Sequence, residues 1–168
     1  MSVSLYDVSI PALVRGLNNL SKILDKGEAH AREKGIDPAT LTTASLFEDM
    51  RPLSAQVQLA TDSAKGCVAR LAGIEVPSFP DTEQSFDELR ERIAKTVAFA
   101  ESVDAAQLAD AATRVVTLPM RGGSVEFTGL SYVSTFVLPN FYFHVTTAYD
   151  ILRHNGVPLG KMDYLGVR

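Results

Sequence analysis

The chain has a single cysteine, Cys67, in 168 residues, which excludes an intrachain disulfide framework and any multi-cysteine metal knuckle. Alone, it reads as a small core residue. Basic residues are few as well: 16 Lys and Arg stand against 20 Asp and Glu, for a net charge of −4. Phosphate backbones are held by clustered Lys and Arg, and no such cluster occurs, so nucleic acid is excluded as a partner. A glycine-rich phosphate loop is missing too, because the Arg-Gly-Gly at 121–123 reads as a tight turn, and no Ser or Cys stands in a nucleophile elbow. The start, MSVSLYDVSIPALVRGL, lacks a basic segment and carries Asp7 early. A cytoplasmic protein without signal or transit peptide is the expectation.

What the chain does have is core. It is 46% apolar, enough for one domain spanning residues 1–168. Helical spacing of Ile10, Leu13, Leu17, Leu20 and Leu24 predicts a first helix that starts at Pro11, where a missing N–H costs nothing, and ends at Gly35. After the linker IDPATLTTA, Ser45 and Glu48 have the spacing of a capping box. Pro52 then either kinks that helix or begins it anew, and Leu53, Val57, Ala60, Ala64, Val68 and Leu71 form its stripe up to Gly73. The two-proline segment VPSFPD is a loop that lets the chain cross between non-adjacent helix ends. Ser85 and Glu88 cap a third helix buried through Phe86, Leu89, Ile93, Val97 and Ala100, and Asp104 with Gln107 caps a short extra turn. β-prone residues 114–120 and 124–127 flank Arg121, Gly122 and Gly123 as a small hairpin. A fourth helix runs from about Ser131 to Asn155, stopped by Gly156 and Pro158. The architecture is all-α: four helices with one small hairpin before the last.

That last helix lies in a run without acidic or basic side chains, Phe127 to Tyr149, which holds seven of the thirteen aromatics and one histidine. Its Ser, Thr, Asn and His content is too polar for a bilayer span, so it reads as a helix buried in protein. Asn140 and His144 lie four apart on one face, and Thr147 continues the line. Gln56 points inward from the stripe of the second helix and is the residue placed to face them. Three readings remain open for Gln56, Asn140, His144 and Thr147. They form a hydrogen-bonded cluster that fixes helix register, or a small-molecule pocket, or part of a divalent-metal site in which His144 is the ligand. Pro139 deprives the Thr135 carbonyl of its usual donor and implies a kink or a helix restart. Of Phe141, Tyr142 and Phe143, not all can face one core. His154 reads as a C-terminal capping or surface histidine, and His30, among Glu28, Arg32 and Glu33, as part of a solvated face.

Three stretches, SLYDVSIPALVRGLNNLSKIL, LFEDMRPLSAQVQLATDSAKG with VPSFPDTE, and LPNFYFHVTTAYDILRHNGVPLGKMDYLG, together resemble the bacterial family of unknown function DUF 1993. That family is placed within the DinB/YfiT-like superfamily of metalloenzymes. The resemblance covers essentially the whole chain. It implies a four-helix bundle with a long crossover, often a homodimer. Members of the wider superfamily include metal-dependent transferases acting on low-molecular-weight thiols and related hydrolases. Their site takes one histidine from the second helix and an H-x-x-x-H pair from the last. Aligned on the shared L-R-x-x-G ending, the pair falls on Asn140 and His144, and the second-helix ligand falls near Gln56. Two of three imidazoles would be amides. The expectation is therefore a metal-degenerate pocket between the second and fourth helices that takes a small molecule, with no cofactor. The alternative is a zinc- or nickel-dependent transferase or hydrolase using His144, and a dimeric interaction module is a third reading.

Overall fold

Helix formation begins before Pro11, because a cap forms first. In the computed structural model, which describes residues 4–167, the Asp7 N–H donates to Ser4 Oγ at 3.2 Å and the Ser4 N–H donates to the Asp7 carboxylate at 3.0 Å. This reciprocal pair satisfies two orphan donors and starts α1, Leu5–Lys34. Pro11 thus lies inside α1 rather than at its start, where its missing N–H removes one backbone bond. Gly35 closes the helix with φ 65°, a left-handed turn that glycine adopts without strain.

The Ser45–Glu48 spacing does not start a helix. A short helix α2, Pro38–Thr42, forms upstream on an Asp37 cap, and the Leu53 N–H then donates to the Ala44 carbonyl at 2.9 Å, closing the intervening residues as a loop. The second alternative at Pro52 holds: α3, Leu53–Ala72, begins directly after it. The capping box at Ser85 and Glu88 forms as expected and opens α4, Phe86–Glu101. Asp104 and Gln107 cap a 3₁₀ turn, Ala105–Leu108. Strands β1, Val115–Met120, and β2, Gly123–Thr128, pair antiparallel from Val115 opposite Thr128 to Met120 opposite Gly123. Gly123 therefore belongs to β2, and the turn is the two-residue Arg121–Gly122.

The last helical stretch starts at α5, Gly129–Ser131, passes through a π-helical segment, Tyr132–Val137, and continues as α6, Leu138–His154. Pro139 falls in the first turn of α6, directly after the π segment, so the helical backbone passes from one into the other at the proline. The Leu138 N–H reaches five residues back to the Val133 carbonyl, and the Ser134 and Thr135 hydroxyls donate to the carbonyls of Leu130 and Ser131 at 2.9 and 2.6 Å. The widened turn and the two hydroxyls supply irregular hydrogen bonding just ahead of a residue that has no N–H to give. A final short helix, α7, spans Lys161–Leu165.

Helix α1 packs against α4 and α6, and α3 packs against the same two, so α1 and α3 are diagonal partners. The predicted stripes are buried in one continuous core, with Val97 alone only partly so. Each Leu removed from water there contributes about 1.5–3 kcal/mol before entropy is counted. His30 departs from expectation: it is buried, because it shares a face with Ile23 and Gly27, and Gly156 packs close to its ring. His154 is exposed in the last turn, as expected. Phe141 is buried, while Tyr142 and Phe143 turn outward. Among the described residues no helix is long and apolar enough to cross a membrane.

The crossover between α3 and α4 is fastened by Arg92. Its guanidinium is 1% exposed and donates to Thr61 Oγ1 at 2.7 Å, the Pro80 carbonyl at 3.1 Å, Asp62 at 2.8 Å and Glu83 at 3.1 Å, with Asp81 paired at 2.9 Å. These partners can occupy all five of its N–H donors, and two of the three carboxylates come from the crossover itself.

Candidate functional site

Gln56, Ser63 and Arg70 stand at intervals of seven on α3, so they fall on nearly one line of the helix. Each meets a polar partner across the seam. The Gln56 carbonyl Oε1 lies 2.8 Å from His144 Nδ1, Asn140 Nδ2 donates to Ser63 Oγ at 2.7 Å, and Arg70 Nη1 donates to Tyr132 Oη at 3.2 Å. The partners descend in number as the α3 residues rise, which makes α3 antiparallel to the π segment and α6.

The first of these pairs has a fixed hydrogen-bond polarity. Gln56, 2% exposed, places its amide nitrogen 3.0 Å from the Arg51 carbonyl. A carbonyl can only accept, so Nε2 must be the atom facing it, and Oε1 must face the imidazole. An amide oxygen can only accept, so His144 Nδ1 must carry the proton and Nε2 must carry the lone pair. Burial also pushes the His144 pKa below its ordinary value, so the ring is neutral at pH 7. The arrangement yields a neutral imidazole in one tautomer with its second nitrogen free to accept.

Of the four residues read as a pocket from the sequence, Gln56 and His144 are therefore joined directly, while Asn140 is held by Ser63. Thr147 joins neither pair. Its hydroxyl donates to the Phe143 carbonyl of its own helix at 2.7 Å, a local bond that competes with any outward role. A cleft of about 240 Å³ opens beside Asn140, between α3, the π segment and the hairpin edge at Leu118–Met120. Its walls include Leu59, Ser63, Arg70, Tyr132 and Phe136, and His144 lies one turn further along α6.

The residues present do not fit a zinc or nickel ion. Among the described residues no group of three or more His, Cys, Asp or Glu side chains could hold one. The amide oxygen of Gln56 is committed to His144, and a neutral Asn amide is a poor ligand for either metal. One imidazole nitrogen remains, where even an open catalytic site needs three protein ligands. Cys67 offers no nucleophile, because burial pushes its thiol up to about 12 and leaves it protonated at neutral pH.

Ser63, Arg70 and Tyr132 escaped the sequence reading, as did the Arg51 carbonyl. A signal was present in the seven-residue recurrence of polar residues beside the apolar stripe of α3. Arg92 also sat within the buried face formed by Leu89, Ile93 and Thr96.

Comparison with known proteins agrees with this bundle. The family model described as domain of unknown function (DUF1993) matches residues 5–165. A crystal structure of a DinB family member protein from Shewanella denitrificans is 42% identical, with a TM-score of 0.90 over 98% of this chain and 93% of that one. No curated protein matches. With the family model covering nearly every residue and a 42%-identical structure sharing the fold from end to end, this chain belongs to the DUF1993 family and has the DinB-type bundle.

Proposed function

We propose that this protein is a DinB-like bundle that works without a metal ion, binding a small molecule along the polar seam between α3 and α6. His144 contributes a neutral imidazole nitrogen at one end of the seam. The observation that carries the reading is the relay from the Arg51 carbonyl through Gln56 to His144. It holds Nδ1–H as a donor and leaves Nε2 to accept a proton or hydrogen bond from a ligand hydroxyl, amine or water. An imidazole that is neutral at pH 7 and fixed in one tautomer suits either a general base or a recognition acceptor.

The same polarity supports a second reading. An imidazole that donates from Nδ1 to an oxygen is the form in which histidine binds metals, so a metal-dependent transferase of low-molecular-weight thiols, or a hydrolase, would recruit the same Nε2. Elemental analysis of protein purified without chelator separates the two. Zinc and nickel are expected well below one equivalent, and equally low in His144→Ala. A stoichiometric metal that disappears in His144→Ala would instead establish the metal-dependent reading.

A further inference from the structure

The cleft beside Asn140 places a guanidinium and a phenol side by side in its lining. Arg70 has no carboxylate partner among the described residues; its one recorded bond runs to Tyr132 Oη. Asp62 is the single carboxylate in the lining, and its Oδ1 is already taken by Arg92 at 2.8 Å and Lys65 at 2.9 Å. Tyr132 is buried, and burial raises its pKa, so the phenol stays protonated. Having accepted from Arg70, it keeps its own O–H to donate. Ser63 spends its proton on the Leu59 carbonyl at 2.8 Å, and Asn140, beyond its bond to Ser63, retains one N–H and its carbonyl oxygen. Gly66 adds to the arrangement: a side chain there would collide with the Arg70 guanidinium, so the glycine leaves the space in which that cation rests. The remaining walls, Leu59, Leu118, Phe136 and Val137 among them, are apolar.

We propose that this cleft binds a small monocarboxylate, with the carboxylate on Arg70 and Tyr132 and its hydrocarbon body against Leu59, Phe136 and Val137. The assignment rests on the small-molecule reading above and names its ligand class. A guanidinium with a phenol O–H beside it matches the two oxygens of a carboxylate. One cation with a carboxylate in the same lining suits a single negative charge better than the double charge of a phosphate.

Chemical-shift mapping of uniformly labelled protein tests this, with hexanoate, hexanol and hexylamine as probes and inorganic phosphate as competitor. Hexanoate is expected to move amides between Leu59 and Arg70 and between Tyr132 and Asn140. Hexanol and hexylamine should bind about tenfold weaker or not at all, as loss of a charge-assisted bond implies, and phosphate should not displace hexanoate. Arg70→Gln should weaken hexanoate by a similar factor while leaving the weak binding of hexanol unchanged. Should that variant fail to fold, the three probes on the unaltered protein decide alone. Equal shifts at the seam from all three probes, or displacement by phosphate, would overturn the carboxylate assignment and leave the seam standing as a pocket. No shift at the seam with any probe would overturn both.

Discussion

Arg92→Leu should destabilise the protein by about 3 kcal/mol or more, read from urea denaturation at pH 7, because removing one partner from a buried charge cluster leaves the others uncompensated. Three features set this magnitude. The guanidinium is 1% exposed, its carboxylates at Asp62 and Glu83 are 37% and 13% exposed, and Glu83 lies on the crossover that Arg92 fastens. Leucine replaces the packing of the stem but none of the five donors. Asp81→Ala provides the contrast: its carboxylate is 59% exposed, and such a pair is worth about 1 kcal/mol or less. Burial opposes ionisation of Glu83, yet its own backbone amide, the Gln58 amide and Arg92 together hold its pKa below the usual value. A carboxyl depressed in the folded state stabilises above its unfolded pKa, about 4.3 for glutamate, and that contribution is lost as pH falls through the folded pKa. The gap between wild type and Arg92→Leu should therefore narrow below about pH 4.

Gln56→Leu is the second change with a large expected effect, about 1–2 kcal/mol, since it orphans both the Arg51 carbonyl and His144 Nδ1–H. The partial exposure of His144 keeps the value below that of a fully buried pair, because water can reach part of the ring. His144→Leu should cost a similar amount by leaving Gln56 Oε1 without its donor. The double variant should lose less than the sum by about 1 kcal/mol, the signature of two groups that satisfy each other. Denaturant unfolding of the four proteins measures this directly. Strict additivity would mean that Gln56 and His144 do not act as a unit.

The bundle was legible because burial imposes a period. Leu13, Leu17, Leu20 and Leu24, and likewise Val57, Ala60, Ala64 and Val68, can all reach one core only from a helix. What misled the reading was local competition. Ser4 and Asp7 form a box that overrides the preference of Pro11 for a helix start, whereas Ser45 and Glu48 have the same spacing inside a loop closed by Ala44 and Leu53. Pro139 announced irregularity but not its form, since a π turn depends on which carbonyl Leu138 reaches. For the site, an inward glutamine and a lone histidine in an uncharged helix were visible as residues needing partners. Their direct pairing, and the separate bond of Asn140 to Ser63, depend on the relative register of α3 and α6. No spacing within one helix encodes that offset. Arg70 becomes notable only in the fold, where among the described residues its guanidinium has no ion-pair partner and donates to Tyr132.

The most direct test of the account is the pair of ¹⁵N resonances of the His144 ring at pH 7, recorded with one equivalent of zinc present. The relay from Arg51 through Gln56 predicts a protonated Nδ1 and an unprotonated Nε2, neither altered by the metal. A protonated Nε2, or an Nε2 resonance shifted by zinc coordination, would contradict it.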